Sequence, residues 1–264
     1  MKYLAGPWCG EWGWELMTWV PHLRWLASKG HKVHVICQPW HEFFYSDFMS
    51  GYDNWTFNEG IGDLWNFNAR PTTKPFVPTK FKNKYPDHEI YLPNKERCLN
   101  GKQMPIQYGV VYLGAIYDLI IHARKENKYG SKTRNWSMSN WTTLATLLKD
   151  KGLSIVSMGS KHGAYHVPGT DDLRDEYLPD LCDTMAASRL LIGPSSGPMH
   201  LGELTGTPRI VWTGPEKQKI FGGATNKERY ERIWKQFDTP VKVIEEWQPS
   251  VEKVYKAVAK RICV

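Results

Sequence analysis

"GPSSGPMHLGELTG", residues 193–206, decides how this chain is read. The apolar run before it, Arg189-Leu190-Leu191-Ile192, predicts a buried strand. Pro198 to Leu204 predicts a helix, with a proline in its first turn and Gly206 just past its end. A strand, a loop of small residues and a helix start together make an anion site, because unpaired N–H groups and the positive end of the helix dipole face the loop. Ser195, Ser196 and Gly197 line that mouth, and His200 lies one turn further on.

Working outward, "PRIVWTG" (208–214) reads as the next strand and "LCDTMAASR" (181–189) as a short helix before the first. "YDLIIHAR" (117–124) is an apolar strand that ends in His122 and Arg124. The polar loop after it carries Lys128, Lys132, Arg134 and Trp136. Residues 137–152 predict a helix capped by Ser137 or Ser139 and stopped by Gly152, and 153–159 a strand. Asp171-Asp172 reads as an acidic turn or cap, and 249–262 as an amphipathic terminal helix opening at Pro249-Ser250. Three loops at strand ends then converge. They carry His122, Arg124, Lys132 and Arg134; Gly159, Ser160 and Lys161; and Ser195, Ser196, Gly197 and His200. Cations and small hydroxyls around a helix start suit a diphosphate.

The first half opens in the same way. Residues 2–6 read as a strand, "GPWCGEWG" (6–13) as a glycine-rich loop, about 14–28 as a helix and 31–37 as a second strand. That is a βαβ unit, which implies a parallel sheet. Glu11 sits in the turn, flanked by Gly10 and Gly13, where a carboxylate projects as a general base for a hydroxyl acceptor. Glu15 falls in the first helical turn, where the dipole favours an acid anyway. Trp12, Trp14, Glu15 and Trp40 are the expected acceptor contacts, since indole faces stack on sugars and bases. From 40 to 108 the pattern loosens: aromatics cluster at 41–45, and 65–108 holds eight Lys/Arg against three Asp/Glu, a net of +5. This reads as a basic, loop-rich insertion.

The expected fold is therefore α/β: two Rossmann-like domains facing a cleft, with a small N-terminal domain carrying the basic insertion. Residues 1–115 form the first domain, 116–248 the second, and 249–264 a C-terminal helix. The chain's 264 residues, 41% hydrophobic, suffice for two cores, and its net charge of +7 points to an anionic partner. No apolar run is long enough to span a membrane and no signal peptide is evident, so a cytoplasmic protein is expected. Five scattered cysteines without a CxxC pair suggest neither disulfides nor zinc. The sequence has no HExxH or Asp-x-Asp for a metal, no P-loop, no GxGxxG and no GxSxG elbow. No metal and no cofactor beyond a co-substrate is expected.

"LLIGPSSGPMHLGELTGTPRIVWTGP" (190–215) resembles the signature of the heptosyltransferases, bacterial enzymes that move a sugar from a nucleotide-sugar to lipopolysaccharide. "KTRNWSMSNWTTLATLLKDKGLSIVSMGS" (132–160) is similar to that family's Lys/Arg-Trp loop, helix and Gly-ended strand, and "GEWGWEL" (10–16) stands in place of its first Gly-Asp loop. The resemblance implies a GT-B fold and inversion without a metal, and it makes the first domain, 1–115, the acceptor-binding domain and the second, 116–248, the nucleotide-sugar-binding domain. It places the base on Glu11 and has the C-terminal helix pack back on the first domain. Two features depart from the family: Ser195 stands where an acid is usual, and the chain is short for the fold. The expected function is a metal-independent glycosyltransferase moving a sugar from a nucleotide-sugar to a hydroxyl acceptor, a glycan. One alternative acceptor is a hydroxylated base of DNA, suggested by the basic stretch. The alternative from another class is a non-catalytic nucleotide- or glycan-binding module, suggested by Ser195.

Overall fold

Apolar runs of three or four residues, too short for helices, set up two parallel sheets. In the computed structural model the described residues are 1–8, 12–56, 77–92, 117–125, 132–218, 222–235 and 237–263. The chain divides into two units, Met1–Gln107 and Tyr108–Val264. The division and the expected boundary at 115/116 both fall in 93–116, outside the described residues.

In the first unit, β1 (Lys2–Ala5), β2 (Lys32–Cys37), β3 (Gly51–Asn54) and β4 (Glu89–Tyr91) form a four-stranded parallel sheet in the order β3-β2-β1-β4. The helix expected after β1 is present in three pieces: α1 (Trp12–Trp14), a π-helical turn (Glu15–Trp19) and α2 (Val20–Ser28). Such π turns recur at functional positions in helices. Helix α3 (Thr79–Lys84) precedes β4, and Val77 and Phe81 pack with Leu4 and Ile36. The stretch expected to be a loop-rich insertion therefore supplies one helix and two strands of the sheet itself. Its apolar positions are mostly aromatic and scattered among prolines, lysines and asparagines, so they follow neither a strand nor a helix period. Asp53 on β3 ties this region together, accepting from His34 at 2.9 Å, Lys84 at 2.6 Å and Tyr85 at 2.7 Å.

The second unit has a six-stranded, all-parallel sheet built from β5 (Leu119–Ile121), β6 (Ile155–Gly159), β7 (Asp171–Arg174), β8 (Leu191–Pro194), β9 (Arg209–Trp212) and β12 (Val241–Ile244). Its order is β12-β9-β8-β5-β6-β7. This is the doubly wound order of nucleotide-binding sheets, in which the winding reverses between the first and fourth strands, here β5 and β8. The acidic pair Asp171-Asp172 lies in edge strand β7 rather than in a turn, and Asp172 accepts from Arg174 at 2.8 Å. Exposure at the edge permits the polar sequence that hid this strand.

Helices α4 (Met138–Lys149), α5 (Leu178–Ala187), α6 (Gly197–Leu204) and α8 (Val251–Ile262) follow the expected spans, while α7 (Asn226–Glu228) is a short addition after a small hairpin, β10 (Lys217–Gln218) and β11 (Ala224–Thr225). Ser137 caps α4 by accepting from Asn140 N at 3.1 Å, and Ser250 caps α8 from Lys253 N at 3.2 Å. The core centres on Trp136, Trp141 and Trp212, whose ring centroids lie 5.0–5.3 Å apart. Val254, Val258 and Ile262 of α8 pack into this same core, so the terminal helix expected to reach back to the first domain buries its apolar face in the second unit. Among the described residues no helix is long and apolar enough to cross a membrane.

Candidate functional site

The reversal between β5 and β8 fixes where to look, because ligands of doubly wound sheets bind beyond the carboxyl ends of the strands at that point. β5 leads into His122, Ala123 and Arg124; β8 leads into Ser195, Ser196 and the start of α6. Both loops are among those expected from the sequence to carry the donor-binding residues.

His122 is fully enclosed. A Cβ on Gly159 would stand 3.1 Å from its Nδ1, and one on Gly193 3.0 Å from its carbonyl oxygen. Both glycines are required by this close approach, and Gly159 also has a φ of +120°. Burial, only partly offset by a 3.3 Å hydrogen bond to the Met158 carbonyl, pushes the His122 pKa down to about 4. His200 is also buried, stacked face to face on Tyr230 at 5.2 Å and edge-on to Trp234 at 4.6 Å. Burial, then the guanidinium groups of Arg209, Arg229 and Arg134, lower its pKa to about 3. Both imidazoles are neutral at working pH. They give no positive charge to a phosphate, so the donor-binding role expected of them falls to uncharged imidazoles.

Ser195 accepts or donates to the Tyr230 hydroxyl at 3.0 Å, and its amide donates to Trp212. Its side chain is buried against Tyr230. Ser196 occupies the N-cap position of α6, but its hydroxyl donates to the Pro194 carbonyl at 2.8 Å. The Ser196 side chain therefore does not cap α6; Pro198 has no N–H and Met199 N donates to the Ser196 carbonyl at 3.1 Å, which leaves the Gly197 amide and the positive end of the helix dipole for an anion.

The cations are placed by a network that sequence reading did not find. Arg124 donates to the Asn135 side chain at 2.5 Å, and Gln248 holds the 133–135 loop through the carbonyls of Thr133 and Asn135 at 2.7 and 3.1 Å. The Arg134 guanidinium lies over the Trp247 ring at 5.3 Å, and its Nε is buried without a hydrogen-bond partner among the described residues. Trp247 donates to Glu216 at 2.5 Å, and Asn226 reaches Glu216 and the Gly214 carbonyl. Asn226 in turn accepts from Arg229, a buried guanidinium over the Trp234 ring at 4.8 Å. Burial lowers the Arg229 pKa to about 10, which leaves it charged at neutral pH. Arg134 and Arg229 both act electrostatically on Tyr230 and on His200 in α6. Arg229 was missed because its segment shows no strand–helix motif; its one signal is a cation beside aromatic Tyr230 and Trp234. Lys132 begins a short turn, Lys132–Arg134, and its side chain lies outside the described residues. At the end of β6, Lys161 stands 3.9 Å from Asp175, and Ser160 accepts from Gly163 N at 2.9 Å.

In the first unit, Glu11 lies outside the described residues. Trp14 and Glu15 are buried, so neither is the open acceptor contact expected of it. Trp12 is half-buried against His41 and Phe44, and Trp40 is 53% exposed with a φ of +72°. The basic stretch that suggested a nucleic-acid acceptor lies mostly in 57–76 and 93–116, outside the described residues. Of its described lysines, Lys84 binds Asp53 and Lys80 lies 4.6 Å from the Phe81 ring centroid.

Each unit is built on a parallel sheet, and the chain as a whole shares the fold of solved glycosyltransferases. Within that class the chain resembles the heptosyltransferases. It is similar to ADP-heptose lps heptosyltransferase II from E. coli, with a TM-score of 0.61 and 12% identity over 99% of this chain and 98% of that one. It is also similar to a glycosyl transferase family 9 protein from Veillonella parvula, TM-score 0.57 and 15% identity over 99% and 97% of the two chains. An E. coli heptosyltransferase solved with ADP aligns over 99% of this chain and 100% of its own, TM-score 0.51 and 12% identity. The sequence matches no protein-family model. It likewise matches no curated protein.

Proposed function

We propose that the chain is a glycosyltransferase that moves a sugar from a nucleoside-diphosphate sugar to a hydroxyl of a glycan-type acceptor, with inversion and without a metal ion. The observation that carries this reading is the start of α6, which the Ser196 side chain leaves uncapped, with the Arg134 and Arg229 guanidinium groups near enough to act on His200 in the same helix. When the bond from the anomeric carbon to the diphosphate breaks, negative charge grows on the leaving group. Fixed cations and the positive end of a helix dipole stabilise it, typically by a few kcal/mol for each donor group. Two guanidinium groups and a helix start take the part that a divalent cation plays in metal-dependent transfer. The fold supports the reading, since the similar solved proteins carry heptosyltransferase and glycosyl transferase names.

Transfer also needs a base for the acceptor proton. Glu11 is the candidate carried by the sequence alone, from its place in the turn after β1. The enzyme reading is tested by incubating the protein with ADP-, UDP- and GDP-linked sugars and following release of the nucleoside diphosphate. Release from one of them, slow with water and faster with a sugar acceptor, is the expected outcome. Tight binding without release would point to a glycan- or nucleotide-binding module.

A further inference from the structure

Glu15 is only 2% exposed, yet both of its oxygens are engaged. Oε1 accepts from the Tyr45 hydroxyl at 2.6 Å and Oε2 from His41 Nδ1 at 2.8 Å. An ionised carboxylate only accepts, so it fixes the His41 proton on Nδ1 and leaves the lone pair on Nε2. The His41 side chain is 19% exposed, and among the described residues Nε2 has no hydrogen-bond partner. The pair stands at the carboxyl ends of parallel strands: Glu15 opens the π turn that follows β1, and His41 comes four residues after Cys37 ends β2. That edge is where ligands of such sheets bind.

The surroundings are built for a ligand as well. The Trp12 and Phe44 rings each lie 6.2 Å from the imidazole. Trp12 Nε1, a donor, and Glu42 Oε2, an acceptor, are both buried without a hydrogen-bond partner among the described residues. Orphaned polar atoms are costly in a folded protein unless something fills their hydrogen bonds. A donor, an acceptor and aromatic faces around one imidazole match the hydroxyls and apolar face of a sugar ring.

We propose that His41, oriented by Glu15, is the base that takes the proton of the acceptor hydroxyl, and that Trp12 and Glu42 hold that sugar acceptor. The proposal rests on the glycosyltransferase reading. In the step, the acceptor oxygen forms a bond to the anomeric carbon, the bond from that carbon to the diphosphate oxygen breaks, and the nucleoside diphosphate leaves with the electron pair. The acceptor's proton passes to His41 Nε2. Glu15 is a positioning residue: it sets the tautomer and steadies the imidazolium. Burial alone lowers the His41 pKa, but the Glu15 carboxylate, with Glu42 behind it, outweighs burial and raises it above the ordinary value. The other groups packed there are the Cys37 thiol and the Tyr45 hydroxyl, both pushed up by burial and then by Glu15, and Arg24, which is paired with Asp47.

The test follows nucleoside diphosphate release from ADP-, UDP- and GDP-sugars by the full chain from pH 5 to 9, for wild type, His41→Asn, His41→Ala, Glu15→Gln and Glu11→Gln. Binding of ADP, UDP and GDP is monitored alongside by thermal shift. We expect His41→Asn to lower kcat by roughly 10²–10⁴-fold with nucleotide binding unchanged, and free imidazole to restore part of the rate to His41→Ala. The wild-type rate rises with pH through a limb above the ordinary imidazole value. Glu15→Gln moves that limb to lower pH. Should Glu15→Gln not fold, the His41 variants and the rescue decide alone. A wild-type rate in His41→Asn, or loss of release in Glu11→Gln only, overturns the dyad and leaves the transferase reading standing. A wild type that releases nothing from any donor overturns the transferase reading, and the dyad with it.

Discussion

The two units build the same backbone device and give it opposite chemistry. Each has a parallel sheet whose strands end in short loops, and each places histidines at that edge. In the second unit His122 and His200 are buried and held neutral, by desolvation first and then by nearby guanidinium groups. In the first unit His41 is held by a buried carboxylate, which raises its pKa against the pull of burial. The backbone topology thus fixes where ligands go, and the side chains fix which kind. Guanidinium groups and an open helix start suit a leaving diphosphate, whereas a carboxylate, an imidazole and indoles suit a hydroxyl that must lose a proton.

The largest expected effect breaks the first-unit side of this contrast: His41→Asn costs roughly 10²–10⁴-fold in kcat, as measured by nucleoside diphosphate release. Next comes Arg134→Ala in the second unit. It removes a guanidinium poised over Trp247 and lowers kcat/KM for the donor by about 10²–10³-fold. If both variants weakened nucleotide binding equally, the division of labour would be wrong. Gly159→Ala forces a Cβ to 2.8 Å from the Ala164 Cβ and against His122, at a φ that disfavours side chains. It should cost at least about 1–3 kcal/mol in urea unfolding and disturb the second unit's edge only.

The histidines also separate by pH. A folded pKa below the unfolded value means that the unfolded chain binds protons first. His122 and His200 therefore lower stability as the pH falls below about 6.5, each by on the order of 1 kcal/mol per unit until about 4 and 3 are approached. His41 works in the opposite sense: its raised pKa adds stability below the unfolded value, which is lost as the pH rises through the folded one. Urea midpoints at pH 7 and 5, for wild type and His200→Asn, should show the loss shrinking in the variant. The smallest effect is Ser250→Ala, which removes the cap of α8 and costs about 1 kcal/mol while touching neither edge.

Much of the second unit was legible because its strands, such as Leu119–Ile121 and Arg209–Trp212, are short apolar runs between clear helix starts and stops. The edge strand β7 and strands β3 and β4 were not, since exposure lets Asp171-Asp172 and Tyr52-Asp53 replace the apolar pattern. At the candidate site, the sequence pointed to the start of α6 and to Arg134. It gave no sign that Ser195 and His200 are buried against Tyr230, which belongs to a segment thirty residues or more downstream. Glu15 looked like an ordinary first-turn acid, and its partners His41 and Tyr45 lay in a cluster that read only as aromatic. Spacing along the chain gives no hint of a contact between the turn after β1 and the turn after β2.

The central claim is that the second unit's edge grips a nucleoside diphosphate through α6 and Arg134. Thermal shift of wild type and Arg134→Ala with ADP, UDP and GDP tests it most directly. At a hundredfold excess over its dissociation constant, the bound nucleotide should stabilise the wild type by about 2.7 kcal/mol, and at that same concentration the variant far less. No shift with any of the three, or an equal shift in Arg134→Ala, would contradict it.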